Sequence, residues 1–163
     1  MKLLHGTNVV INRPDLNLCH SHNDFGKGFY LTPSWNRAWE MGRRRRDFLG
    51  GNIVVNAFRF SKKEAIKAGL KVVTFDGFTT DWAEFIIRNR DENFFAHKYD
   101  IVIGPVADAI LDQEIFKYKR VYKADYLKKE NLEVFIKNVS QYGTSYIQYC
   151  FCTDSSLKFL NKE

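Results

Sequence analysis

No apolar run in this 163-residue chain approaches the roughly 20 residues that a membrane-spanning helix needs, so the sequence offers no transmembrane segment and no membrane partner is expected. Proline is scarce, at three residues, while 45% of the chain is hydrophobic and 15% aromatic, a composition that rules out disorder. Cysteine is also scarce and odd in number: Cys19, Cys150 and Cys152. Cys150 and Cys152 lie two apart, on one face of any strand, which makes a poor disulfide framework. The opening Met1-Lys2-Leu3-Leu4-His5 lacks the charged and apolar regions of a signal peptide. A reducing, cytoplasmic location is the expectation. Internal repeats, low-complexity tracts and Pro/Ser-rich linkers are missing as well, so residues 1–163 read as one domain with a sizeable core.

What is present begins with a formal charge of +6, which favours anionic partners: nucleic acid, phosphate-rich cofactors or acidic protein surfaces. The pattern of elements is mixed. Lys2 to His5 reads as a strand ending at Gly6, Asn12 to Gly28 as a long polar loop, and Phe29 to Leu31 as a short strand. Ser34 caps a helix in which Trp35, Ala38 and Trp39 follow i, i+3, i+4 spacing, ending before Gly50-Gly51. Further strands are expected over 52–60, 70–75, 99–103 and 145–151. Ser61-Lys62-Lys63-Glu64 is a capping box, and helices follow near 80–90, 106–118, 126–139 and after Thr153. On the 80–90 helix, Trp82, Phe85, Ile86 and Asn89 share one face. Strands and helices do not strictly alternate, so the fold class is α+β with a mostly antiparallel or mixed sheet.

Two segments carry candidate chemistry. In His5-Gly6-Thr7, a histidine at a strand end precedes a glycine that lets backbone amides approach a flat ligand. Its imidazole can donate to or accept from a hydroxyl near neutral pH. In Asp24-Phe25-Gly26-Lys27-Gly28-Phe29-Tyr30-Leu31-Thr32, two glycines bracket a lysine at the entry to a strand. Phe29 and Tyr30 must then face opposite ways. The glycines alone are better explained as turn chemistry.

Together, His-Gly-Thr, a loop of some twenty residues, Phe-Gly-Lys-Gly-Phe-Tyr-Leu and a following helix resemble the diphtheria-toxin-like branch of the ADP-ribosyltransferases, which includes the poly(ADP-ribose) polymerases. The segment Tyr99-Asp100-Ile101-Val102-Ile103-Gly104-Pro105-Val106-Ala107-Asp108 resembles a signature of a divergent bacterial family of unassigned function that begins with the same two motifs. The resemblance implies two small mixed or antiparallel sheets around an NAD cleft with flanking helices. It implies NAD as substrate, with His5 and Gly6 holding the nicotinamide ribose and carboxamide, Thr7 near the carboxamide, and Tyr30 stacked on nicotinamide. Phe25, Gly26 and Gly28 would shape the cofactor loop. Trp39, with Trp35 second, would close the other ring face, core packing being the alternative for both. The implied activity is mono-ADP-ribosylation of a protein or nucleic-acid acceptor, with NAD glycohydrolysis or an inactive ADP-ribose-binding module as alternatives. A toxin or defence role, with an antitoxin partner, is suggested by the resemblance alone.

The third catalytic position departs from the pattern. The superfamily usually carries a Glu on a late strand; here the polar residue central to Ser145-Tyr146-Ile147-Gln148-Tyr149-Cys150-Phe151 is Gln148. Glutamine keeps the hydrogen-bonding geometry but brings no charge and cannot act as a base. Gln148 either fills the catalytic position or is an exposed strand residue, and Asp154 is the nearest acid beyond it. No metal is expected: Cys19, His20 and His22 lack the spaced pairs of a zinc site. Asp108 and Asp112 read as helix-start acids, and Cys150 and Cys152 as buried, apolar-like residues. The run Arg43-Arg44-Arg45-Arg46 spans about 300° of a helix. It therefore predicts a helix that projects or has ended, and the run is either a solvated basic segment or a contact for a phosphate-bearing acceptor.

Overall fold

The computed structural model describes residues 1–21, 23–90, 97–106, 111–141 and 146–163, and the side chain of Asp112 lies outside that description. Strand β1 (Lys2–Thr7) pairs antiparallel with β3 (Val54–Arg59), and β7 (Asn161–Lys162) joins the far edge of β3. A second sheet runs in the order β2 (Phe29–Leu31), β6 (Ile147–Phe151), β5 (Ile101–Pro105) and β4 (Val72–Thr74). Its β4–β5 pair is parallel and the other pairs are antiparallel. Six helices lie among the described residues: α1 (Trp35–Leu49), α2 (Lys62–Lys67), α3 (Thr80–Asn89), α4 (Leu111–Tyr122), α5 (Lys129–Ser140) and α6 (Asp154–Leu157). The architecture is α+β with two small sheets, one antiparallel and one mixed.

The four-stranded sheet is the middle layer. Alternation along β5 and β6 sends Ile101, Ile103 and Phe151 towards Leu3 and Phe58 of the other sheet. Val102 and Cys150 point the opposite way, towards Trp82, Ile86, Leu132 and Phe135 of α3 and α5. The predicted face of α3 is buried, Asn89 included. Burying each large apolar side chain of this face contributes about 2 kcal/mol relative to leaving it in water.

Local signals set most element starts. The hydroxyls of Ser34, Ser61 and Thr153 accept from the backbone amides of Arg37, Glu64 and Ser156, which satisfies donors that a helix start leaves open. The last helix ends at Leu157, and the chain goes on to add β7.

The two sheets meet at one seam. Leu4 and Thr32 exchange both backbone hydrogen bonds, at 2.8 and 2.9 Å. This bridge fixes β1 beside β2 and sets His5 next to Tyr30. Helix α1 lies across β1 through a narrow stripe, with Ala38 and Gly42 its buried residues. A Cβ on Gly6 would stand 1.6 Å from the Ala38 carbonyl oxygen. Helix and strand thus touch backbone to backbone, and α1 runs on through all four arginines to Leu49 with most of its circumference in solvent.

Candidate functional site

A cleft of about 810 Å³ opens at the seam, within the range typical of small-molecule sites. The end of β1, one flank of α1, the loop over residues 8–20 and the ends of β2 and β6 form its walls. Asn56, buried on β3 opposite His5, pins that loop: its side chain accepts from the Ile11 amide at 2.8 Å and donates to the Val9 carbonyl at 3.1 Å. Asn56 carries no motif in the sequence.

His5 lies on the cleft wall with its ring stacked on Phe29, centroids 4.5 Å apart. A carbonyl can only accept, so the 2.7 Å contact between Nδ1 and the Tyr30 oxygen makes Nδ1 the donor and leaves Nε2 as the acceptor of the neutral ring. Burial pushes the His5 pKa below its usual value of 6.5, against the opposing pull of the Tyr30 carbonyl. The neutral tautomer is therefore the resting form at neutral pH.

Tyr30 is half-buried, with its ring on the Phe25 side of the core and lining the cleft. Its hydroxyl closes the glycine loop, accepting from the Phe25 amide at 3.0 Å and donating to the Gly26 carbonyl at 2.7 Å. Burial raises its pKa well above 10, so the hydroxyl keeps its proton.

Gln148 joins these two. Tyr30 pairs with Cys150 across β2 and β6, so Gln148, two residues along, projects from the same face. It lines the cleft, and its Nε2 donates to Asp24 Oδ2 at 3.0 Å. Asp24 is only 6% exposed, and its Oδ1 accepts from Arg90 Nε and Nη2 at 2.9 and 2.5 Å. All three side chains border the cleft. The sequence reading missed Asp24 and Arg90. Asp24 opens the glycine motif, where an acid reads as turn chemistry, and its partners lie 66 and 124 residues away.

The remaining predicted positions divide. Gly6, Thr7 and Gly28 line the cleft. A side chain on Gly28 would meet the Cys150 sulfur at 2.3 Å, so close packing of β2 on β6 already requires glycine there. Phe25, Gly26, Trp39 and Trp35 do not border the cleft. Phe25 is fully buried behind Tyr30. Gly26 has φ +79° and faces Asn89 and His97. Trp39 and Trp35 stay 43% and 58% exposed, because a helix seated on Ala38 and Gly42 leaves no depth for an indole beside the strand.

Four arginines, Arg13, Arg37, Arg44 and Arg45, give the outer cleft a positive lining. Arg44 and Arg45 have no ion pair among the described residues, whereas Arg43 and Arg46 share Asp47. Cys19 and His20 also border the cleft. His22 and Asp108 lie outside the described residues, as does the Asp112 side chain, and Asp154 sits at the α6 start beyond β6.

Behind Tyr30, the Cys150 and Cys152 sulfurs are 3.4 Å apart, hydrogen-bonded and not joined by a disulfide. Cys150 is buried and apolar in character, and burial raises its pKa. Cys152 differs from that expectation: the Cys150 thiol hydrogen-bonded to it, together with His97, holds its pKa down to about 6.

Among the described residues, no helix is long and apolar enough to cross a membrane. Residues 1–161 match the family described as "Protein of unknown function (DUF3990)", and the chain belongs to that family. No curated protein and no solved structure matches it.

Proposed function

We propose that this member of a family of unknown function is a mono-ADP-ribosyltransferase that binds NAD in the seam cleft, releases nicotinamide and transfers ADP-ribose to a macromolecular acceptor. The observation that carries the reading is the convergence of His5, Tyr30 and Gln148 on one cleft, from three strands far apart in sequence. These are the residues to which the resemblance to diphtheria-toxin-like transferases would assign the site.

The chemistry suits the cleft. Breaking the bond between nicotinamide and ribose leaves positive charge on the sugar, as in glycoside cleavage. The neutral His5 offers its Nε2 lone pair to a ribose hydroxyl. The Tyr30 ring gives nicotinamide a rigid stacking surface. Arg13 and Arg37 of the outer cleft suit the pyrophosphate, since guanidinium forks match phosphate geometry. Gln148 cannot take a proton from an acceptor as a late-strand Glu would, so an acceptor already nucleophilic at neutral pH suits the site. A terminal phosphate is such an acceptor.

Gln148 in place of an acid also favours a second reading, a module that holds NAD or ADP-ribose without cleaving it. Incubating the purified protein with NAD and measuring free nicotinamide separates the two. Release above the spontaneous rate, lost in His5→Ala, supports the enzyme; NAD binding without release supports the module. Labelled NAD offered with cell lysate, then treated with nuclease or protease, distinguishes transfer from hydrolysis and names the acceptor class.

A further inference from the structure

We propose that Asp24, anchored by Arg90, is a positioning residue that forces the amide of Gln148 to present its oxygen to the cleft. This inference rests on the transferase reading above. It answers the question which that reading leaves open: how a glutamine serves where an acid is usual.

A glutamine amide has a negative end, Oε1, and a positive end, the NH2 group, and the two ends interchange by a half-turn about one bond. A freely turning amide would present either end to a sugar that becomes cationic, and only the oxygen end stabilises that cation. Asp24 removes the choice. A carboxylate is acceptor-only, so the group facing it at 3.0 Å must be the amide nitrogen, and Oε1 is left as the outward acceptor.

Asp24 cannot itself turn away. It is 6% exposed, and the Arg90 guanidinium grips Oδ1 through two nitrogens. Such forked contacts fix orientation as well as distance. Donation from the amide nitrogen to an anionic carboxylate also polarises the amide in a low-dielectric setting and leaves more negative charge on the Gln148 oxygen. One carboxylate and one amide thereby share the work of a single late-strand acid.

Asparagine at position 24 breaks the logic with almost no change in shape, since its side chain can either accept from Gln148 or donate to it. Glutamate at position 148 breaks it differently, by setting two carboxylates against each other with one arginine between them. Combining the changes restores a consistent arrangement: the new amide at position 24 donates to the new carboxylate at position 148, whose oxygens face the cleft.

The test is steady-state nicotinamide release from NAD by wild type, Asp24→Asn, Gln148→Glu and the double variant, with thermal unfolding measured for each. Asp24→Asn should lower kcat at least tenfold with KM changed less than threefold. Gln148→Glu should also fall tenfold at neutral pH and gain an ionisation in its pH profile that wild type lacks, because paired carboxylates share a proton. The double variant should recover to within about fivefold of wild type and lose that ionisation. A folded Asp24→Asn with full kcat overturns the inference. So does a folded double variant no better than its worse parent, which decides the matter if Asp24→Asn fails to fold. If wild type releases no nicotinamide, the transferase reading falls and takes the inference with it. An active wild type confines any failure to Asp24.

Discussion

The Ala38 carbonyl oxygen occupies the space where a side chain on Gly6 would begin, 1.6 Å from an ideal Cβ. Gly6 is therefore required by the contact of α1 on β1, whether or not a ligand also approaches its amide. Gly6→Ala should destabilise the fold by about 3 kcal/mol or more, because two backbones must separate. At Gly42 the nearest obstacles are the Ile53 Cγ2 methyl at 2.9 Å and the Thr7 backbone at 3.2 and 3.3 Å, a much smaller overlap than at Gly6. Alanine also raises helix propensity there by about 1 kcal/mol, so Gly42→Ala should cost clearly less than Gly6→Ala. Denaturant melts of the two variants check the order; equal losses would remove the backbone contact as the cause.

Tyr30→Phe provides a second test. A ring needed only for stacking would tolerate the change. The hydroxyl, however, serves both the Phe25 amide and the Gly26 carbonyl. Removing it should cost about 1–3 kcal/mol of stability, the usual penalty for stranding buried polar groups. Nicotinamide release should fall with it as the glycine loop loosens. Wild-type stability and turnover in Tyr30→Phe would show that the hydroxyl bonds are dispensable.

The pH dependence follows from His5. Its folded-state pKa lies below the 6.5 of the unfolded chain. The stability it contributes is thus fully present above pH 6.5 and is lost as pH falls through the folded value. Activity should be flat around neutrality, with an acid limb centred below 6.5 that disappears in His5→Gln. Imidazole NMR titration of His5 gives the value directly. A midpoint at or above 6.5 would contradict the buried neutral ring.

Arg44 and Arg45 should act on the acceptor and leave nicotinamide release intact. Replacing both with Gln should weaken acceptor use while hydrolysis without acceptor stays near wild type. For a single-stranded nucleic-acid acceptor, log affinity should fall against log salt with a slope of about −0.7 for each phosphate contact. Salt-independent acceptor use, unchanged in the double replacement, would return both side chains to simple solvation.

Local rules made much of this molecule legible. The hydroxyl caps at Ser34, Ser61 and Thr153 and the apolar face of α3 follow from patterns within a few residues, and the structure has them where the sequence points. Closure over long distances was not legible. The ion pair of Asp24 with Arg90 spans 66 residues, and neither residue advertises it. The two residues of β7 are too short to show a period. Trp35 and Trp39 misled for a physical reason. Their spacing reports a helix correctly, but which flank is buried was decided by the small residues Ala38 and Gly42.

The seam at Leu4 and Thr32 has a consequence for local opening. Two backbone bonds and the His5–Tyr30 contact join the sheets at that corner. Fluctuations that part the sheets there would pull apart the residues proposed to grip the nicotinamide half of NAD. A ligand bridging His5 and Tyr30 binds the closed form and so suppresses that opening by mass action. The amide protons of Leu4 and Thr32, each bonded across the seam, then become reporters of occupancy, and their exchange with solvent slows as the affinity of whatever fills the cleft rises.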